Sequence, residues 1–344
     1  MIILGIESSC DETAAALLEV KGDKFKVVKN VVWSQTQIHQ KYGGVVPEVA
    51  ARQHVEAIMP VIQEAMGKNS KPDLLAVTMG PGLITSLSVG VQTAKTLSYA
   101  WDVPLIGVNH LEGHLWSYLL NRNQQEAKNK QITNLPAVGL IVSGGHTELI
   151  LVKGIGKYKL IGQTLDDAVG EAFDKVAKML ELGYPGGPIV AHFAAKGNSS
   201  AIKFPRPMLT SANFDFSFSG LKTAVKYHIR DMAPTGSLSQ AHVNDVCASF
   251  QQAVIEVLVA KTIRAAEKYK VKSVILGGGV SANEELTQNL KLKANNSKLN
   301  CFVPEKWLTG DNAAMIALAG YFNKQKSSKN NWKILDAEAN LRLV

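Results

Sequence analysis

The chain has little cysteine, no long apolar run and no block of like charge. Three cysteines among 344 residues, Cys10, Cys247 and Cys301, are an odd number with no C-x-x-C spacing. That argues against a disulfide framework and fits a reducing, cytoplasmic setting. The apolar runs are short and interrupted, so no membrane-spanning helix is expected. The opening residues, Met1-Ile2-Ile3-Leu4-Gly5-Ile6-Glu7, lack a basic stretch and run straight into a strand, which predicts no signal peptide. Basic residues outnumber acidic ones 37 to 29, a net charge of +8, but they are scattered. This balance favours polyanionic partners such as nucleic acid or nucleotides, with a generic basic surface as the plain alternative.

What is present is enough apolar residue, 46% of the chain, to build two lobes. The sharpest local pattern is Asn109-His110-Leu111-Glu112-Gly113-His114. It follows an expected strand at 104–108 and opens an expected helix. Two residues four apart lie roughly 40° apart on one helix face, so two imidazoles there can share a metal ion. The alternative is a helix N-terminus with two solvated or hydrogen-bonded histidines. The metalloprotease pattern H-E-x-x-H is absent, because here the order is H-L-E-G-H. Glu112 falls roughly 200° round the helix from His110 and points away from a metal on that face.

Along the chain, 2–7, 14–20 and 25–32 read as strands, with the polar turn Ser8-Ser9-Cys10-Asp11-Glu12-Thr13 between the first two. A helix is expected from 48 to about 66, a strand at 73–79, the turn Gly80-Pro81-Gly82-Leu83, and a helix from about 85 to 101. That turn could approach a ligand backbone-first. Residues 121–134, rich in Asn, Gln and Lys, read as a linker. Then Gly139 to Gly154 repeats the opening theme of Gly5 to Gly22: apolar run, Ser-containing turn, Thr, apolar run, Val-Lys-Gly. An internal duplication at a spacing of roughly 135 residues follows, and with it an α/β protein of two lobes. Helices are expected to about 180, after the loop 184–188, and from about 243 to 269. Residues 197–220 and 231–241 read as irregular. Ser273 to Asn283 reads as strand, triple glycine and helix start, matching neither a Walker P-loop nor G-x-G-x-x-G. Asp311, in Thr309-Gly310-Asp311-Asn312, sits at a helix N-terminus. It is either a cap or a third ligand that meets the histidines across a cleft.

The motifs GIESSCDET, HQKYGGVVPEVAARQH, NHLEGH, VSGGHTEL, DDAVGEAFDKVAK, YPGGP, FSFSGLKTAV, GGGVSANEEL and TGDNAAM, in that order and over nearly the whole chain, closely resemble the TsaD family, also called YgjD or Gcp. The resemblance implies a duplicated actin-like ATPase fold, two lobes with a nucleotide cleft between them. The first lobe is expected at 1–128, completed by 320–344; the second is expected at 129–319, with an irregular insertion near 191–242. The implied activity is transfer of a threonylcarbamoyl group from threonylcarbamoyl-adenylate to N6 of the adenosine following the anticodon, in tRNAs reading codons that begin with A. By resemblance, His110, His114 and Asp311 hold iron or zinc. Ile141, Val142, Ser143, Gly144, Gly145, Asp174, Gly187 and Asn283 hold the adenylate, with ATP as a further occupant of the same cleft. Many members carry an acidic ribose contact where this chain has Ala191. The older family label, O-sialoglycoprotein endopeptidase, has no support in the H-L-E-G-H spacing.

Asp11 or Glu12 is expected to take the N6 proton as a base or to position the tRNA. Lys41, Arg52, Lys203, Arg206, Lys222 and Lys226 are candidates for tRNA phosphates by charge and motif position, each with a solvated-surface alternative. Bacterial family members act with a paralogous dimerisation partner and a small ATPase; mitochondrial-type members act without them. The competing readings are an actin-like ATPase or sugar kinase, and a noncatalytic scaffold in a tRNA-modification complex.

Overall fold

The computed structural model of the chain describes residues 1–69, 71–121, 134–232 and 238–344. The expected linker at 121–134 lies, for its residues 122–133, outside these, as do residues 233–237 of the expected loop 231–241. Contacts divide the chain into two units: Met1–Thr133 with Pro304–Val344, and Asn134–Val303. The chain thus returns to the first unit at Pro304, ahead of the expected 320, and Asp311 shares a unit with His110 and His114.

The first unit contains β1 (Ile2–Glu7), β2 (Glu12–Lys21), β3 (Lys24–Ser34), α1 (Thr36–Gln40), α2 (Pro47–Met66), β4 (Leu74–Gly80), α3 (Ile84–Trp101), β5 (Leu105–Asn109) and α4 (His110–Trp116). The second contains β6 (Ala137–Val142), β7 (Thr147–Gly154), β8 (Lys157–Gln163), α5 (Val169–Met179), α6 (Gly186–Ala194), α7 (Ser219–Met232), α8 (Gln240–Lys268), β9 (Ser273–Gly277), α9 (Glu284–Asn296) and β10 (Asn300–Phe302). Then α10 (Ala313–Phe322) rejoins the first unit. Four of these elements were not legible as such, the five-residue α1 among them. β8 is a polar edge strand, β10 spans three residues, and α7 is a short amphipathic helix with glycine in its first turn.

The two sheets have one topology. The first runs β3-β2-β1-β4-β5 and the second β8-β7-β6-β9-β10. In each, the first three strands form antiparallel hairpins, and the fourth and fifth add in parallel on the other side of the first. The duplication read from the repeated theme is therefore a duplication of the fold. Central strands are near-continuous apolar runs because both their faces are covered. On β1, Leu4 and Ile6 pack with Ala57, Ile58 and Val61 of α2 and with Val91 of α3. Between them, Gly5 meets α10: a Cβ there would stand 2.1 Å from the Ala313 carbonyl oxygen. Only glycine admits the helix so close. That contact places the start of α10, with Asp311 before it, in the same unit as α4.

Among the described residues one helix, α8, is long and apolar enough to cross a membrane, but 78% of its apolar window is buried inside the protein. It is the core helix of the second unit, carrying Phe250, Val254 and Leu258 into the cluster around β6 and β7.

Candidate functional site

β5 ends at Asn109, whose side chain caps α4 by accepting from the Leu111 N–H at 2.9 Å. The cap starts the helix at His110, so both histidines lie within its seven residues, and both are buried. Their rings meet edge to face with centroids 4.6 Å apart. Asp311 completes the group. Its Oδ1 lies 3.0 Å from His114 Nε2 and 3.4 Å from His110 Nε2. The expected capping alternative for Asp311 fails on geometry, because Asn312 caps α10, accepting from the Met315 N–H at 3.1 Å. Asp311 is left to face the histidines. Glu112 turns away from them, as the helix angle requires, and accepts from Asn323 Nδ2 at 2.9 Å.

One nitrogen from each histidine and one Asp311 oxygen all lie within 4.8 Å of one another. Two imidazoles and a carboxylate at that separation are a donor set that could hold a divalent ion with positions left open. Electrostatics agree. Burial opposes charge on Asp311, but the charge and hydrogen bond of His110, with the bond from His114, outweigh it and hold the carboxyl well below the usual range. Burial likewise opposes protonation of His110, yet Asp311 and Glu7 raise it well above an ordinary histidine. Burial keeps His114 below its ordinary value.

The first hairpin turn surrounds this group. His54, which closes the HQKYGGVVPEVAARQH motif, bonds Thr13 Oγ1 at 2.7 Å and the Cys10 carbonyl at 2.9 Å, so it pins the turn from α2. The glycine turn after β4 also serves the protein itself: the Leu83 N–H donates to the Ser9 carbonyl at 2.8 Å. Glu12 takes a hydrogen bond from Ser34 Oγ at 3.3 Å. Burial, with Asp11 beside it, pushes the Glu12 carboxyl well above the ordinary range. Glu7, at the end of β1, was not singled out from the sequence. The available signal was a lone carboxylate closing an apolar strand.

In the second unit, the candidate adenylate residues gather on three loops. Ile141 and Val142 end β6 with buried side chains, so they offer only backbone to a ligand. Ser143 closes the turn: its N–H donates to the His146 carbonyl at 2.8 Å, and its Oγ accepts from the His146 N–H at 3.0 Å. Gly144 and Gly145 are exposed. α5 starts against this turn, with the Gly170 N–H donating to the Ser143 carbonyl at 3.1 Å. Asp174, on α5, accepts from the Gly186 N–H at 2.7 Å and so holds the start of α6, where Gly187 has open space beside it. Ala191 lies in α6. Asn283 caps α9 through the Leu286 N–H at 2.9 Å and donates to Gln251 Oε1 at 2.7 Å. Asp174 and Asn283 therefore each have a demonstrated structural bond.

The basic candidates divide. Lys41, Arg52 and Lys203 are exposed. Arg206 is paired with Glu256 at 2.7 Å and Lys222 with Asp167 at 2.6 Å. Lys226, on α7, is exposed.

Comparison with known proteins bears on the family and on the fold. The family profile described as TsaD, tRNA N6-adenosine threonylcarbamoyltransferase, matches residues 26–318. A protein of that name from Desulfotalea psychrophila is 48% identical over 326 residues, covering 93% of this chain and 92% of its own. One from Dictyoglomus turgidum is 46% identical over 335 residues, covering 96% of each. Among solved structures, HypF from T. kodakarensis superposes with a TM-score of 0.60 at 16% identity, over 94% of this chain and 48% of that one. The (R)-2-hydroxyglutaryl-CoA dehydratase component A of Acidaminococcus fermentans gives 0.51 at 14% identity, over 95% of this chain and all of its own. These likenesses concern the fold, a duplicated actin-like one. The family match and the close relatives, over nearly the full chain, make it a member of the TsaD family of tRNA N6-adenosine threonylcarbamoyltransferases.

Proposed function

We propose that this chain transfers the threonylcarbamoyl group of threonylcarbamoyl-adenylate to N6 of the adenosine 3′ to the anticodon, in tRNAs reading codons that begin with A, and releases AMP. The observation that carries the reading is the His110–His114–Asp311 group, buried in a chain of this transferase family. The reaction forms a bond from N6 to the carbamoyl carbon and breaks the bond from that carbon to the phosphate oxygen; the N6 proton is lost. The N6 amine is a weak nucleophile because its lone pair is delocalised into the ring, so the chain has to orient it and remove its proton.

Iron or zinc is proposed for the His/His/Asp group; when bound it would supply Lewis acidity and a template for the threonyl and carbamoyl oxygens. Glu12 is the proposed base, helped by Asp11. A carboxyl with a raised pKa is better matched to accepting a proton near neutral pH than an ordinary one. The Ser143–Gly145 turn binds the AMP phosphate at its exposed glycines, Gly144 and Gly145, whose backbone no side chain shields. Asp174, Gly187 and Asn283 place the nucleoside, and ATP occupies the same pocket in the absence of the adenylate. Lys41, Arg52, Lys203 and Lys226 contact tRNA phosphates, with Arg206 and Lys222 joining where their present bonds exchange. A paralogous partner and a small ATPase assist turnover.

The test is a mass-spectrometric count of N6-threonylcarbamoyladenosine after mixing purified chain, unmodified tRNA and threonylcarbamoyl-adenylate, with and without chelator. Product that the chelator abolishes supports transfer and the metal together. Product restored only by the partner proteins makes the chain a subunit that needs activation. No product under either condition would move the ATPase or scaffold readings ahead. Single-turnover transfer unchanged in Glu12→Gln would remove Glu12 from the mechanism. Phosphate contacts predict tRNA affinity that falls steeply with salt.

A further inference from the structure

Glu7 is fully buried at the end of β1, and every group that its carboxylate meets within hydrogen-bond distance is a donor. Oε1 accepts from the Ser9 N–H at 2.5 Å. Oε2 accepts from Thr78 Oγ1 at 2.5 Å and from His110 Nδ1 at 3.0 Å. Ser9 Oγ lies 3.3 Å from the same Nδ1. The opposite ring nitrogen, His110 Nε2, is the one that faces Asp311 Oδ1.

We infer that Glu7 is the positioning residue for the metal ligand His110: it holds the proton on Nδ1 and so keeps Nε2 as the nitrogen presented to the ion. This rests on the metal reading of the His/His/Asp group. A neutral imidazole has one protonated and one bare nitrogen, and the partner of one decides which is bare. A carboxylate can only accept, so it selects Nδ1–H. It also fixes the ring's rotation, because Glu7 is itself held by β4 through Thr78 and by the turn through Ser9. The strand, the turn and the histidine helix then form one rigid support for a single ligand atom.

An amide of the same shape cannot reproduce this. In Glu7→Gln the NH2 replaces one of the two oxygens. Placed at Oε1, it faces the Ser9 N–H, donor against donor. Placed at Oε2, it donates to His110 Nδ1, which puts the proton on Nε2 and blocks that ligand.

The experiment titrates the full-length chain with Zn2+ and, separately, Co2+ against a chromophoric chelator, for wild type, Glu7→Gln and Thr78→Val. The Co2+ forms are compared by their visible absorption. The expected result is a 10–100-fold weaker dissociation constant and an altered Co2+ spectrum in Glu7→Gln, with a clearly smaller loss in Thr78→Val, where His110 Nδ1 still meets a carboxylate. Thr78→Val disturbs the same buried network without changing what His110 Nδ1 meets. Unchanged affinity in Glu7→Gln overturns the inference, and so does an equal loss in both variants, which would be general core damage. No binding by wild type overturns the metal reading itself, and this role with it. Should Glu7→Gln fail to fold, 15N NMR of the Zn2+-loaded wild type decides. A protonated Nδ1 and a ligated Nε2 on His110 support the role, and the reverse assignment overturns it.

Discussion

At the end of β1, residues 8–13 separate Glu7 from its partner Ala14 on β2; at the end of β6, only residues 143–146 separate Val142 from Thr147. The strand order around the two hairpins is the same. The longer turn is packed from outside by His54 and by the loop before α3, and the strand end that leads into it carries Glu7, whose carboxylate meets His110 of α4. The shorter turn is closed by one serine and leaves two glycines exposed. The units also bury charge differently. In the first, two carboxylates, Glu7 and Asp311, face the two ring nitrogens of His110. In the second, Lys261 is fully buried with no carboxylate paired to it among the described residues. It donates to Ser211 Oγ at 2.9 Å and to the Asp215 carbonyl, and lies 5.6 Å from the centre of the Phe216 ring. One topology thus carries a buried cluster of two carboxylates and two histidines beside the first hairpin turn and a shorter, neutral turn in the second unit. The length of the turn and the side chains at a few positions make the difference.

Four measurements would break or sharpen that contrast. The largest effect is expected from His114→Ala, which removes a buried ligand of the first unit. Bound metal, counted by mass spectrometry, should disappear, and transfer should fall by more than about 100-fold, beyond the loss typical of a group that only supports a ligand. Retained metal at wild-type stoichiometry would dissolve the assignment of charge to the first turn. Next is Gly278→Ala in the second unit. Gly278 has φ +87°, and a Cβ there would stand 2.3 Å from the Val142 carbonyl oxygen, directly behind the neutral turn. A loss of about 1–3 kcal/mol in thermal unfolding is expected from backbone strain alone, with metal affinity unaffected.

The third is a pH dependence. Burial, with Arg264 nearby, lowers Lys261 to about 8. Below that value both folded and unfolded chains carry the proton, and the folded one bears the cost of a buried cation. Between about 8 and the ordinary lysine value, the folded chain releases the proton while the unfolded chain keeps it. Stability should therefore rise with pH in that window, by at most about 1.4 kcal/mol per unit. Denaturant unfolding from pH 7.5 to 10 should show the rise in wild type and not in Lys261→Met. A slope shared by both proteins would assign it to other groups. The smallest effect is Ser143→Ala, which removes the hydroxyl that accepts from the His146 N–H. About 1 kcal/mol of binding is expected to be lost, read as a severalfold higher KM for the adenylate at similar kcat. A change confined to kcat would place the serine in the chemistry instead.

How much of this was legible beforehand depended on distance along the chain. The duplication, the histidine pair on one helix face and the outward turn of Glu112 follow from local periodicity, because helix and strand geometry set which neighbours share a face. The sequence also marked Asp311, but as either a cap or a ligand. What decided was Asn312 taking the cap, a local bond three residues long, and α10 packing against Gly5, a contact between residues some three hundred positions apart. Glu7 passed unread for the same reason: a carboxylate at the end of an apolar strand has meaning only once Thr78 and His110 are brought to it. Periodicity carries short-range geometry, so the sequence alone determined the elements, their repetition and the chemistry available in them. Burial and hydrogen-bond partners are properties of the assembled unit, so only the tertiary structure decided which of those groups meet, which carry charge and which are held still.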